Sequence, residues 1–338
     1  MSHPRLTLEV HNEKLRLKEP FRISGYTFHE SPVTLATLLD GALEGRGEAS
    51  GVYYLGDEPE GMAAAIEAHR EAIEGGLTRD ELRALLPPGG ARNALDCALW
   101  ELEARRAAIP VWQLAGIDTP RPLLTTFTVS ANEPQVMAKG AKAYTHARAI
   151  KLKLTGETDI DIERVRAVRT ARPDVWLGVD ANQGYVPDKL ERLLPVLVEA
   201  RVSLLEQPCA RGREAELEGI DHVIPIAADE SVQGLDEVDA LAGRFDVVNI
   251  KLDKCGGLTE GLLIGARSRE LGMKVMVGNM IGTSLAMAPA FVLGQQCDVV
   301  DLDGPIFLVR DRSPGLSCEE GLVRCDDTVW GFPPARSA

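Results

Sequence analysis

Two hydrophobic periodicities divide the chain. From Arg5 to Gly51 apolar and polar positions alternate, as in Leu6-Leu8-Val10 and Leu15-Leu17, with turn residues between the runs, and this predicts an antiparallel meander. From Glu60 to Leu85 the spacing becomes helical. A second helix is predicted over Gly89 to Ala107, where Ala94, Leu95, Ala98, Leu99 and Leu102 fall at i, i+3, i+4 intervals. An α+β domain is expected over residues 1–117, ending in the proline-bounded stretch Pro110 to Pro122.

After Pro122 short apolar runs alternate with helical stretches. The predicted strands are Leu124 to Thr128, Ala149 to Leu154, Val175 to Ala181, Val202 to Glu206, Val223 to Asp229, Asp246 to Lys251, Lys274 to Asn279 and Asp298 to Asp301. Predicted helices between them include Gln135 to Tyr144, Ile160 to Thr170, Lys189 to Glu199 and Gly261 to Leu271. Eight strands alternating with helices indicate a parallel α/β barrel over residues 118–305. An open doubly wound sheet fits less well, because no dinucleotide glycine fingerprint follows the first strand. The turn-rich, polar stretch 306–338 is expected to pack back on the first domain.

The second barrel strand, Ala149-Ile150-Lys151-Leu152-Lys153-Leu154, carries two lysines on one face, because strand side chains alternate. Taken alone, it could be a surface strand with its polar face in water or a strand pointing two cations inward. The other strand ends separate these readings. Asp180 and Asn182 close strand three, Glu206 closes strand four, Asp229 and Glu230 close strand five, Lys251 closes strand six, and Asp301 and Asp303 close strand eight. One ionisable group per unit, at one height, makes a ring at the C-terminal mouth of a barrel, where such folds place their chemistry.

Asp180, Glu206 and Asp229 lie on adjacent strands, so three carboxylates converge. They repel one another unless a cation neutralises them, and an all-oxygen set without cysteine or histidine indicates a hard ion. Magnesium fits best, with manganese as the substitute. Strands two and six are four apart in a ring of eight, so Lys153 and Lys251 face each other across the mouth. A base on each face of one carbon suits a 1,1-proton transfer with inversion, with the metal holding the substrate carboxylate and stabilising the dianion left when the α-proton departs. Lys151 is expected to keep Lys153 neutral by like-charge repulsion and to touch the same carboxylate.

Composition narrows the partners. The formal charge is −14, from 37 basic and 51 acidic residues, which disfavours nucleic acid and anionic membrane surfaces. Six scattered cysteines give no zinc spacing and no disulfide framework, so a reducing cytoplasm is the expected location. No apolar run approaches a membrane span, and Met-Ser-His-Pro-Arg-Leu has no secretory core. A homo-oligomer is compatible with the sequence.

These residues resemble the enolase superfamily in its muconate-lactonising branch. The likeness rests on Lys-Leu-Lys at 151–153, Asp-Ala-Asn at 180–182, Glu-Gln-Pro at 206–208, Ala-Asp-Glu-Ser at 228–231 and Asn-Ile-Lys-Leu-Asp-Lys-Cys-Gly-Gly at 249–257. The resemblance implies a modified TIM barrel, (β/α)7β, under an α+β capping domain, with Lys153 and Lys251 as acid/base pair and Asp180, Glu206 and Asp229 as metal ligands. It favours Lys251 over Lys254, because the catalytic lysine of this branch follows Asn-Ile.

Asp301 and Asp303, in Val-Asp-Leu-Asp-Gly-Pro at 300–305, offer two anions to a substrate ammonium. Such an Asp-x-Asp resembles the mark of dipeptide epimerases, where it holds the substrate's α-amino group. By the same resemblance Thr128, Asn279 and Ile281 are expected at the peptide backbone. Side-chain selection is expected from cap loops at Phe21 to His29 and Gly51 to Asp57. Ala-Glu epimerases carry an arginine in the first of these, where an ungapped alignment from Pro20-Phe21 places Tyr26. A different, apolar or aromatic-tolerant dipeptide is therefore expected, with Tyr26, Phe28, Tyr53 and Tyr54 as candidate pocket residues. The alternatives are an N-acylamino acid racemase, or a cycloisomerase or o-succinylbenzoate synthase of the same branch.

Overall fold

The computed structural model describes residues 5–23 and 25–331. Ser24 in the expected first cap loop, the first four residues read for a leader, and residues 332–338 of the expected tail lie outside the described residues.

The N-terminal meander forms as three antiparallel strands, β1 (Thr7–Ile23), β2 (Tyr26–Asp40) and β3 (Leu43–Ala49), in the order β1-β2-β3. Its inner face, including Leu6, Leu8, Ala36 and Leu38, packs on α1 (Pro59–Glu67), α2 (Arg70–Glu74), α3 (Arg79–Leu85) and α4 (Gly90–Ala107) through Met62, Ile66, Ile73, Leu82, Ala94, Leu95, Ala98 and Leu102. Helix α4 lies so close on β3 that a Cβ at Gly45 would stand 2.1 Å from the Ala98 carbonyl oxygen, and one at Gly47 2.0 Å from that of Ala94. Only glycine fits those two positions.

The segment Phe21 to His29, expected as a loop, is mostly hairpin. Alternation continues through Phe21-Arg22-Ile23 and Tyr26-Thr27-Phe28, pairing Phe21 with Phe28 and Ile23 with Tyr26, and Gly25 turns the chain at φ 75°. The period-two signal therefore extends through residues that a loop assignment interrupts.

The second part is an eight-stranded parallel sheet with neighbours in chain order: β4 (Thr126–Val129), β5 (Ala149–Lys153), β6 (Trp176–Asp180), β7 (Leu204–Glu206), β8 (Ile226–Ala228), β9 (Val247–Ile250), β10 (Lys274–Val277) and β11 (Val299–Val300). Ile150, Leu152 and Leu154 are fully buried in the layer between sheet and helices, each worth about 1.5–3 kcal/mol of hydrophobic stabilisation. Their period fixes the register that turns Lys151 and Lys153 to the barrel interior. The crossovers are α5 (Pro134–Ala143), α6 (Thr158–Ala171), α7 (Pro187–Glu199), two 3₁₀ segments (Glu214–Leu217 and Leu235–Leu241), α8 (Leu258–Glu270) and α9 (Ser284–Gly294). Seven crossovers and an eighth strand make the (β/α)7β pattern. Helix α9 is buried along its whole length, so it has no polar face and no amphipathic period in its sequence.

Side chains bridge β4 and β11 where the ring meets. Leu302 N–H donates to Thr125 Oγ1 at 2.9 Å, Thr128 N–H to Asp303 Oδ2 at 2.7 Å, and the Thr126 hydroxyl to Asp301. The C-terminal segment touches both parts. Its hairpin, Ser317–Glu319 with Leu322–Arg324, pairs with Leu123–Leu124, while Val309 N–H donates to Arg16 O at 2.8 Å and Arg46 Nη2 to Val329 O at 2.9 Å.

Candidate active site

The strand ends converge as the sequence predicts. Parallel register sets Lys153 beside Asp180 and Asp180 beside Glu206. Carboxylate oxygens of Asp180, Glu206 and Asp229 lie within 4.8 Å of one another, and all three residues are buried. Lys153 Nζ is 2.5 Å from Asp180 Oδ2, and Lys251 Nζ is 2.6 Å from Asp229 Oδ2. Both lysines line a cavity of about 280 Å³ between barrel and cap. Lys254 does not line it. Its ammonium is enclosed by Asp229 Oδ1 at 2.6 Å, Asn249 O at 3.1 Å and the Asp229 carbonyl, on the side of Asp229 away from the cavity-lining Lys251.

The electrostatics describe a site built for a cation. Burial and the adjacent Asp180 charge push the Glu206 carboxyl up to about 8. Burial also acts to raise Asp229, but the ammonium groups of Lys251 and Lys254 outweigh it and hold Asp229 well below the usual carboxylate range. Burial opposes the charge of Lys251, yet Asp229, Glu206 and Glu230 raise its pKa well above the ordinary value. Three buried carboxylates with no nitrogen or sulfur donor among them make an all-oxygen set that fits magnesium. Asn182 Oδ1, Asn249 Oδ1 and Glu230 Oε2 are buried without a partner, and Asn182 and Glu230 line the same cavity.

Lys151 departs from its expected role as a repulsive neighbour of Lys153. Its ammonium is ion-paired with Asp301, with Glu206 Oε2 at 3.5 Å and Asp180 Oδ2 at 4.0 Å. Burial disfavours the charge, but these three anions overcome it and keep Lys151 a cation. The two aspartates after β11 are therefore unequal. Asp301 holds Lys151 and lies below the usual carboxylate range despite its burial, whereas Asp303 is pushed up to about 6 by burial and by the Asp301 charge.

The remaining predicted residues divide in two. Thr128, Asn279, Ile281, Asp301 and Asp303 all line the cavity. The Ile281 carbonyl already accepts from Ser31 Oγ at 2.6 Å and Ser50 Oγ at 2.7 Å, so both its lone pairs serve the cap. Asn279 Nδ2 donates to Asp301 O at 2.5 Å. Tyr26 is outside the wall. It sits at the hairpin tip, 46% exposed, with its ring 4.6 Å from that of Tyr53, and Phe28, Tyr53 and Tyr54 face the cavity instead. Phe21 and Ile23 join the apolar wall from the cap, Met280 and Phe307 from the barrel side, and Glu30, Asp57 and Glu58 are its charged cap residues.

Two further side chains support the ring of carboxylates without being singled out by the pattern of strand ends. Gln207 Oε1 accepts from Asp229 N–H at 2.8 Å, tying the ends of β7 and β8 together. Asn249 Nδ2 donates to Glu206 Oε1 at 2.8 Å. Both belong to motifs that carry the family resemblance, Glu-Gln-Pro at 206–208 and Asn-Ile-Lys at 249–251, and the motifs alone do not show these supporting bonds.

Comparisons agree with this geometry. Residues 5–116 match the mandelate racemase/muconate lactonizing enzyme N-terminal domain family, and residues 136–307 match the enolase C-terminal domain-like family. The chain is 39% identical over 315 residues to the L-Ala-D/L-Glu epimerase of Escherichia coli, covering 93% of this chain and 98% of that protein. It is 37% identical over 252 residues to an N-acetyl-D-glutamate racemase from Pseudoalteromonas, covering 74% and 79%. A solved enolase family member from Agrobacterium tumefaciens with homology to dipeptide epimerases, holding sodium and L-Ala-L-Glu, superposes with a TM-score of 0.92 at 40% identity over 96% of this chain and all of that one. Further solved dipeptide epimerases of this fold hold magnesium together with a dipeptide.

Proposed function

The chain belongs to the enolase superfamily, in the branch of mandelate racemase and muconate lactonizing enzymes, and from that premise we propose that it is a magnesium-dependent dipeptide epimerase. It inverts the α-carbon of the C-terminal residue of a dipeptide. The observation that carries this reading is the pair Lys153 and Lys251, at the ends of β5 and β9 on opposite sides of one cavity, together with two buried aspartates beyond β11.

Asp180, Glu206 and Asp229 would hold the magnesium, which would supply positive charge that acidifies the α-proton of a bound carboxylate substrate. One lysine takes that proton and the other returns a proton to the opposite face of the enediolate. Asp303 receives the substrate ammonium, with Asp301 behind it fixing Lys151 as a permanent positive charge near the carboxylate. Thr128, Asn279 and Ile281 flank the peptide. The cap encloses the reacting carbon, and a drier site strengthens each of these electrostatic contacts.

The cap wall supports an apolar or aromatic epimerised side chain. Phe21, Ile23, Phe28, Tyr53 and Tyr54 offer matching surface, while a glutamate side chain would meet Glu30, Asp57 and Glu58. Of these Glu30 is already paired with Lys14 at 2.9 Å.

A racemase of N-acylated amino acids is the second reading, favoured by the likeness to the N-acetyl-D-glutamate racemase. It uses the same lysines but leaves the buried carboxylate of Asp303 facing a neutral amide. Incubation with magnesium and a dipeptide library, followed by chiral chromatography, tests the choice. Epimers at the C-terminal residue are expected; turnover of acylamino acids alone would select the second reading.

A further inference from the structure

Tyr53 and Tyr54 reach the cavity from a short segment of the cap that is fixed at each end by a carboxylate. At its far end Asp57 Oδ2 accepts from Gly90 N–H at 2.7 Å, at the start of α4 and therefore within the cap itself. At its near end the partner comes from the barrel. Asp253 Oδ1 accepts from Ser50 N–H at 2.9 Å, from Gly51 N–H at 3.3 Å and from Asn93 Nδ2 of α4 at 3.3 Å. Asp253 is buried, in a one-turn helix, Leu252–Cys255, whose first flanking residue is Lys251. Lys251 points into the cavity and Asp253, two positions on, points to the cap.

Ser50 extends the connection to a second barrel loop, through its hydroxyl to the Ile281 carbonyl at 2.7 Å. Gly51 is held in the left-handed region at φ 71°, and a Cβ there would stand 2.2 Å from Asp57 O. Near its anchor the segment therefore has one backbone path. Through it the two tyrosines are registered against the two barrel loops that carry Lys251 and Asn279.

We infer that Asp253 is a positioning residue that docks the cap segment 50–57 onto the catalytic-lysine segment and so sets how tightly the aromatic wall closes on substrate. It touches no substrate. What it supplies is an acceptor oxygen rather than a charge: a single oxygen takes all three donors, and an uncharged carboxyl keeps that oxygen. Burial, acting first, pushes its carboxyl up to about 7, in keeping with a group whose charge is dispensable. Asparagine offers the same acceptor in the same shape, and alanine offers none.

The test compares Asp253→Ala, Asp253→Asn and Ser50→Ala in the full chain by two readouts. Hydrogen exchange followed by mass spectrometry reports the docking without any substrate. Peptides covering residues 50–57 should exchange about tenfold faster in Asp253→Ala, the scale of one buried hydrogen bond lost, and should match wild type in Asp253→Asn. Ser50→Ala, which removes the parallel anchor to Ile281 and leaves the backbone bond to Asp253, should fall between the two, and the comparison of Asp253→Asn with wild type keeps the test open if the first variant does not fold. Kinetics, which rest on the epimerase reading, should show KM raised about tenfold in Asp253→Ala with kcat nearly unchanged, the pattern of lost uniform binding. Unchanged exchange in both Asp253→Ala and Ser50→Ala would overturn the inference, and so would equal damage in Asp253→Asn and Asp253→Ala. Absence of dipeptide turnover in the wild type would remove only the epimerase reading, since the exchange result is independent of it.

Discussion

The Lys151 ammonium is ion-paired with the carboxylate of Asp301, so one of the two aspartates that close the eighth strand is already committed within the protein. The Asp-x-Asp pair therefore divides its work, and the two asparagine substitutions should differ. Asp303→Asn removes the anion for the substrate ammonium; KM for dipeptides should rise by about 10–100-fold, the cost of a charge-assisted contact, with kcat less affected. Asp301→Asn leaves a buried lysine without its main partner and should destabilise the fold by about 3–5 kcal/mol, visible as a lower melting temperature. Equal effects of the two substitutions on KM and on Tm would contradict this division.

The proposed contact of Asp303 with the substrate ammonium also implies an acid limit. Its carboxyl is raised to about 6 by burial and by the charge of Asp301, so it is charged above that pH and neutral below it. Because kcat/KM reports the free enzyme, it should fall about tenfold per pH unit below pH 6. A pH profile of Asp303→Asn should lack that limb.

The opposed lysines predict stereochemistry. Lys153→Ala and Lys251→Ala should each abolish epimerisation, yet each should still exchange the α-proton of one epimer, and of opposite epimers in the two variants. Proton exchange into each pure epimer, followed by NMR, reads this out. Loss of exchange for both epimers in either variant would point to a single base.

Metal removal should silence the protein without unfolding it. The three carboxylates already find ammonium partners in Lys153, Lys251 and Lys151. Chelation should therefore abolish turnover, magnesium should restore it, and manganese should substitute. Added magnesium should raise Tm with its concentration, because it binds the folded state alone. Asp180→Asn should weaken both responses.

Much of this was legible in the sequence because barrel strands carry two independent signals. Apolar alternation located Ala149 to Leu154, and the polar residue at each C-terminal end fixed its height in the ring. The five groups Lys153, Asp180, Glu206, Asp229 and Lys251 could be read in this way because parallel register aligns them without long-range guesswork. Helix α9 was not legible, since an element buried on every side has no period. Tyr26 was misplaced because a residue count cannot show where a hairpin turns; the turn at Gly25 leaves Tyr26 at the tip and brings Phe28 to the wall. The pairing of Lys151 with Asp301 joins residues 150 positions apart and has no local trace. Asp253 was hidden for a related reason, since its partners, Ser50, Gly51 and Asn93, all lie in the cap.

The central claim is proton transfer at the α-carbon of a dipeptide between two lysines. Incubation with magnesium and single-epimer dipeptides in heavy water, with mass spectrometry and chiral separation of the products, tests it most directly. One deuterium should appear at the α-carbon of the C-terminal residue, and the inverted product should carry it from its first appearance. Inversion without deuterium, or deuterium entering N-acylamino acids but no dipeptide, would contradict the account.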